Sequence, residues 1–146
     1  MRYASVSDRL HGLGSQKWAV HMAGRKRANA GEPTIFLSIG EPDLPPPAAV
    51  IDRAVASMRA GRTKYASGQG EPGALRAIAG HLSRRSGHEV LPEQVLYTAG
   101  TQHGLYVVLT TLVEAGDEVL VPDPYYATYE GVVASTGATF VAVPTV

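Results

Sequence analysis

From Val95 to Val143 short β-rich runs alternate with helical stretches, and few folds accommodate that order. Val95–Thr98 reads as a strand, Gly100-Thr101-Gln102 as a tight turn, and residues 105–112 as a strongly apolar helix closed by Gly116. Glu118–Val121 reads as a second strand, stopped by Pro122 and Pro124; Tyr126–Ser135 as a helix stopped by Gly137; and Thr139–Val143 as a third strand. Strand–helix–strand units of this length predict right-handed crossovers in a mainly parallel sheet, an α/β fold.

Upstream, the punctuation comes from proline and glycine. Ser15–Asn29 is expected to be a helix with Trp18, Ala19 and Met22 on its apolar side and Arg25, Lys26 and Arg27 in solvent. Thr34–Ser38 reads as a short strand. The following IGEPDLPPP holds Pro42, Pro45, Pro46 and Pro47, which forbid both helix and central strand, so Gly40–Pro46 is an extended loop. Pro47 opens a helix with an apolar stripe at Val50, Ile51, Ala54, Val55 and Met58, ended by Gly61. Pro72 opens another, with Leu75, Ile78, Ala79 and Leu82 on its buried face and Gly87 as its left-handed cap.

Composition removes several functions. Thirteen basic residues balance thirteen acidic ones, which gives no basic surface for nucleic acid. There is no cysteine, hence no disulfide, zinc–thiolate site or thiol nucleophile. His11, His21, His81, His88 and His103 show no metal-ligand spacing. No run is apolar for long enough to span a membrane, and the first residues, with Arg2, Asp8 and Arg9, do not form a secretory signal. A cytoplasmic protein without membrane or nucleic-acid partners is the expectation.

In an open α/β sheet, ligands sit beyond the carboxyl ends of the strands. Two turns lie there. The turn around Gly100, Thr101 and Gln102 opens a helix, whose first N–H groups and dipole, about half a positive charge, can hold a phosphate without a basic side chain. A turn of this kind can equally do no more than reverse the chain. One unit later, Pro122-Asp123-Pro124-Tyr125-Tyr126 presents two aromatics. They can pack in the core or offer a flat face to a planar ring.

Together, the stretches TIFLSIGEPDLPPP, GRTKYASGQGEPGALRAIAGHL and VLYTAGTQHGLYVVLTTLVEAGDEVLVPDPYYATYEGVVASTGATFVAVP resemble the N-terminal portion of pyridoxal-phosphate-dependent class I/II aminotransferases of fold type I. The resemblance runs from about Leu10 to the last residue and implies pyridoxal 5'-phosphate as cofactor, amino acid and 2-oxo acid substrates, and a homodimer. By matched position it implies that Gly100, Thr101 and Gln102 cup the cofactor phosphate and that Tyr126 stacks on its ring. It further implies that Tyr65 reaches the neighbouring subunit's phosphate. On the substrate side, Gly40 offers its N–H to a carboxylate, Ile39 packs over the ring and Trp18 lines the pocket.

The resemblance also divides the chain into an N-terminal arm and active-site loop, residues 1–46, and the first part of a cofactor-binding large domain, residues 47–146. No catalytic residue is expected in the chain, because the family's Schiff-base lysine lies downstream and Lys17, Lys26 and Lys64 stand in other contexts. With the last strand ending three residues before the chain does, the C-terminus reads as a cut through a larger domain. A lyase or decarboxylase of the same fold, and a non-catalytic sensor domain of a transcription regulator, are the alternatives.

Overall fold

The computed structural model describes residues 2–13 and 15–145. The elements are α1 (Ser5–Leu10), α2 (Ser15–Asn29), α3 (Ala48–Arg59), α4 (Pro72–Ser86), a short 3-10 turn (Pro92–Gln94), α5 (Thr101–Leu112), β1 (Glu118–Asp123), α6 (Tyr129–Thr136) and β2 (Thr139–Pro144). They divide into two units, one of Met1–Gly40 with Leu105–Val146 and one of Glu41–Gly104.

In the second unit, α4 forms where proline and glycine bracket it. The Glu71 carboxylate accepts the Gly73 N–H at 3.0 Å, Pro72 takes the first helical position, and Gly87 closes the helix in the left-handed region. Leu75 and Ala79 pack on Val95, flanked by Ile78 and Val90; Leu82, expected on the same face, is exposed. Ser83 ties the outgoing chain back: its hydroxyl donates to the Ala79 carbonyl at 2.9 Å and accepts the Val90 N–H at 2.8 Å. Gly70 is required sterically, because a Cβ there would lie 2.8 Å from that of Tyr97. Helix α3 starts at Ala48 with Pro47 as its N-cap rather than its first residue, and Val50, Ile51 and Met58 of its apolar stripe are exposed.

The first unit contains the parallel pair, with Glu118 opposite Thr139 through to Asp123 opposite Pro144. Helix α6 makes the crossover and buries Val132 and Val133. Along β1 the side chains alternate: Val121 is buried while Leu120 is exposed. Leu105, Leu109, Val121, Val132 and Val133 line an apolar cleft of about 180 Å³. Arg9 of α1 donates to the carbonyls of Ala134 at 3.0 Å and Ser135 at 3.2 Å, placing a cation at the negative end of α6.

Other expectations are corrected too: β1 continues through Pro122 to Asp123 instead of stopping at Val121. Thr34–Ser38 and Val95–Thr98 are not strands, for neither run is paired in a ladder; Tyr97 instead donates its N–H to the Gln69 carbonyl at 2.8 Å. Helix α5 begins at Thr101 rather than Leu105, and α6 at Tyr129 rather than Tyr126. Residues 126–129 form a turn closed by the Tyr129 N–H on the Tyr126 carbonyl.

Candidate functional site

Gly100 has φ +86°, a conformation that costs a side-chain-bearing residue energy, and nothing stands within 4 Å of where its Cβ would be. Its N–H donates to the Thr98 carbonyl at 2.9 Å, and its carbonyl accepts both the Thr98 hydroxyl at 3.2 Å and the Gly104 N–H at 3.2 Å. The last of these closes the first turn of α5, so the N–H groups of Thr101 and His103 precede any bond of the helical series. Thr101, Gln102 and His103 are exposed, and the first turn of α5 contains no acidic residue. This is an open, positively polarised helix end with a hydroxyl beside it.

The aromatic pair divides its labour. Tyr125 is half-buried and lays its ring against Phe140 of β2, with centroids 4.8 Å apart at 61°. Tyr126, just beyond the carboxyl end of β1, keeps 60% of its surface exposed and touches Tyr129 edge-on at 5.9 Å. Tyr65 is fully exposed in the loop before α4.

Trp18 of α2 is 37% exposed and meets the His21 ring edge-on at 6.0 Å. His21 lies 5.8 Å from the Phe36 ring, and its Nδ1 shares a 2.9 Å hydrogen bond with the Ser38 hydroxyl. Ile39 and Gly40 follow directly, both exposed. Gly40 does not have a positive φ, and a Cβ there would meet nothing within 4 Å, so neither the backbone nor packing within the chain demands glycine. The structure thus draws Trp18 and the segment leading into Ile39–Gly40 together through His21, a residue without a sequence-level role. A hint was available in the spacing, because His21, Gly24 and Ala28 make the half-buried face of α2, while Met22 is exposed.

Among the described residues no group of three or more His, Cys, Asp or Glu could hold a metal ion, and no helix is long and apolar enough to cross a membrane.

The family model for aminotransferase class I and II matches residues 32–146. The arginine–pyruvate transaminase AruH of Pseudomonas aeruginosa is 41% identical over 144 residues, which cover 99% of this chain and 37% of that protein. The aspartate aminotransferase of Thermus thermophilus solved with maleate superposes with a TM-score of 0.88 at 31% identity, over all of this chain and 38% of that one. An alanine aminotransferase from Pyrococcus furiosus superposes with a TM-score of 0.89 at 27% identity, over 99% of this chain and 37% of that one. The chain therefore spans little more than a third of the length of these relatives.

Proposed function

Because the chain belongs to the aminotransferase class I and II family, we propose that it supplies the N-terminal segment of an enzyme that moves an amino group between an amino acid and a 2-oxo acid. On this reading residues 1–46 are the arm and active-site loop, and residues 47–146 are the first part of the cofactor-binding large domain. Pyridoxal 5'-phosphate, when bound, supplies the electron sink for the transfer.

The observation that carries the reading is the opening of α5. Gly100 turns the chain with open space beside it, and the helix end that follows carries a hydroxyl and no acid. These residues fit a phosphate group: Gly100 and Gln102 through the backbone of the turn and helix, Thr101 through its hydroxyl as well. Tyr126 fits an aromatic ring, because Tyr125 takes up the packing role against Phe140 and leaves the next ring exposed. Tyr65 reaches a neighbouring subunit of a homodimer, a role supported by its complete exposure.

Toward the substrate, the Gly40 N–H binds a carboxylate, and the absence of any side chain there lets the ligand approach. Ile39 excludes water from the ring, and Trp18 forms a wall of the pocket. The chain holds and orients; none of Lys17, Lys26 and Lys64 moves a proton in this scheme. A cytoplasmic location goes with the reading.

The test uses the protein as its gene encodes it, with pyridoxal 5'-phosphate, an amino donor and a 2-oxo acid, following the product amino acid. Turnover is expected, with cofactor affinity reduced about 10- to 100-fold in Thr101→Val, the effect of one hydrogen bond to a charged group. Carbon dioxide release or elimination in place of amino transfer would replace the reading by the lyase alternative. Unchanged cofactor affinity in Thr101→Val would remove the phosphate role of that turn.

A further inference from the structure

We propose that His21 is a positioning residue that sets the Trp18 indole and the Ile39–Gly40 peptide as one substrate-facing element. This rests on the reading of Gly40, Ile39 and Trp18 as substrate contacts. The segment 34–40 needs such a device. Among the described residues, no backbone hydrogen bond holds positions 35–40, and Ile35 and Leu37 are almost fully exposed. What fixes the segment is its other face, which lies on α2.

Two contacts make that face. Gly24 leaves room for the Phe36 ring, since a Cβ at 24 would lie 3.1 Å from its Cε1. One turn earlier, the His21 ring lies against both Trp18 and Phe36 and bonds the Ser38 hydroxyl through Nδ1 at 2.9 Å. A ring of this kind combines an aromatic body with a polar atom at its edge, and both are used here. Ser38 is covalently two residues from Gly40, so the bond restricts the peptide whose N–H is assigned to the carboxylate. The same ring meets the Trp18 indole edge-on, with centroids 6.0 Å apart. Loss of the bond should loosen both groups without touching the ligand itself.

Three variants separate this from general packing. His21→Leu keeps apolar bulk and loses the bond; His21→Gln keeps a side-chain amide able to reach a hydroxyl; Ser38→Ala removes the partner and leaves the rings. The first readout is the rate of chymotrypsin cleavage at Phe36 and Leu37 in the cofactor-free protein, which needs the segment to leave α2. The second is the split of KM for the amino donor against kcat. His21→Leu and Ser38→Ala should each speed cleavage and raise KM about 3- to 10-fold, with kcat within about twofold of the parent. His21→Gln should restore most of both, and the double variant His21→Leu with Ser38→Ala should be no worse than either alone.

Cleavage rate and KM at parental values in His21→Leu, or additive effects in the double variant, would overturn the proposal. Where His21→Leu fails to fold, Ser38→Ala decides in the same two readouts. A protein without amino-transfer activity would sink the functional reading, while the cleavage data would still report whether His21 restrains the segment that leads into Ile39 and Gly40.

Discussion

A Cβ at Gly104 would stand 3.1 Å from the Oγ1 of Thr98, so the opening of α5 lies directly against the extended residue that precedes its turn. Substituting alanine for glycine inside a helix normally gains about 1 kcal/mol. Here the gain meets a hydroxyl already donating to the Gly100 carbonyl. Gly104→Ala is expected to leave stability unimproved in the parent and to stabilise by about 1 kcal/mol in a Thr98→Ala background. Denaturant unfolding of the four proteins measures the coupling; identical effects in both backgrounds would show that Thr98 imposes no constraint.

Tyr125 and Tyr126 should respond to truncation in opposite ways. Tyr125→Ala removes a half-buried ring from Phe140 and is expected to cost about 2 kcal/mol of stability. Tyr126→Ala removes a largely exposed ring and should cost less than about 1 kcal/mol while weakening pyridoxal 5'-phosphate binding. Thermal unfolding paired with cofactor titration distinguishes the two. Loss of cofactor binding only in Tyr125→Ala would reverse the assignment.

The Glu71 carboxylate is held below the usual glutamate range, first by the Gly73 N–H it accepts and then by its hydrogen bond from Arg62. A carboxyl whose folded pKa is depressed contributes stability above its unfolded pKa and loses it as pH falls through the folded value. The parent should therefore lose stability on acidification through and below the ordinary glutamate range more steeply than Glu71→Gln. Parallel Tm-against-pH curves over pH 6 to 3 would show that this cap does not titrate.

Exposed apolar side chains on α3, Val50, Ile51 and Met58, and on α5, Val108 and Leu112, lack cover within the chain. Self-association is expected, and sedimentation over a range of concentrations measures it. A strictly monomeric species that still binds cofactor, with affinity unaffected by Tyr65→Ala, would remove the cross-subunit role of Tyr65.

Helix ends marked by proline and glycine were legible in the sequence, whereas the starts of α5 and α6 were not. The start and end of α4 follow from Pro72 and Gly87, local effects acting over one turn, and α2 spans the expected residues although its apolar period is weak. The crossover β1–α6–β2 was equally readable from its alternation of periods. Strands at 34–38 and 95–98 failed because β-propensity describes a residue, whereas a strand is a pairing between two segments. Helix α1 was missed because its anchor, Arg9 on the carbonyls of Ala134 and Ser135, lies far along the chain. The packed face of α2 escaped notice because it is built from His21, Gly24 and Ala28 rather than from large apolar side chains. At the site, turn chemistry pointed to Gly100–Gln102 and the paired aromatics; the nature of the cofactor came from the family resemblance.

The contact between Arg9 and Ala134 also sets an order of events during synthesis. Residues 41–104 are continuous in sequence and can gather Leu75, Ala79 and Val95 as soon as they have emerged. The first forty residues belong to a unit whose other half begins at Leu105, and the guanidinium of Arg9 has no α6 to grip until Ser135 has been added. At about 5–20 residues per second, that interval is on the order of 5–20 s. Arg9 thus waits for chain that follows Leu105, and throughout the wait Trp18, Phe36 and Leu37 lack the rest of the unit they belong to.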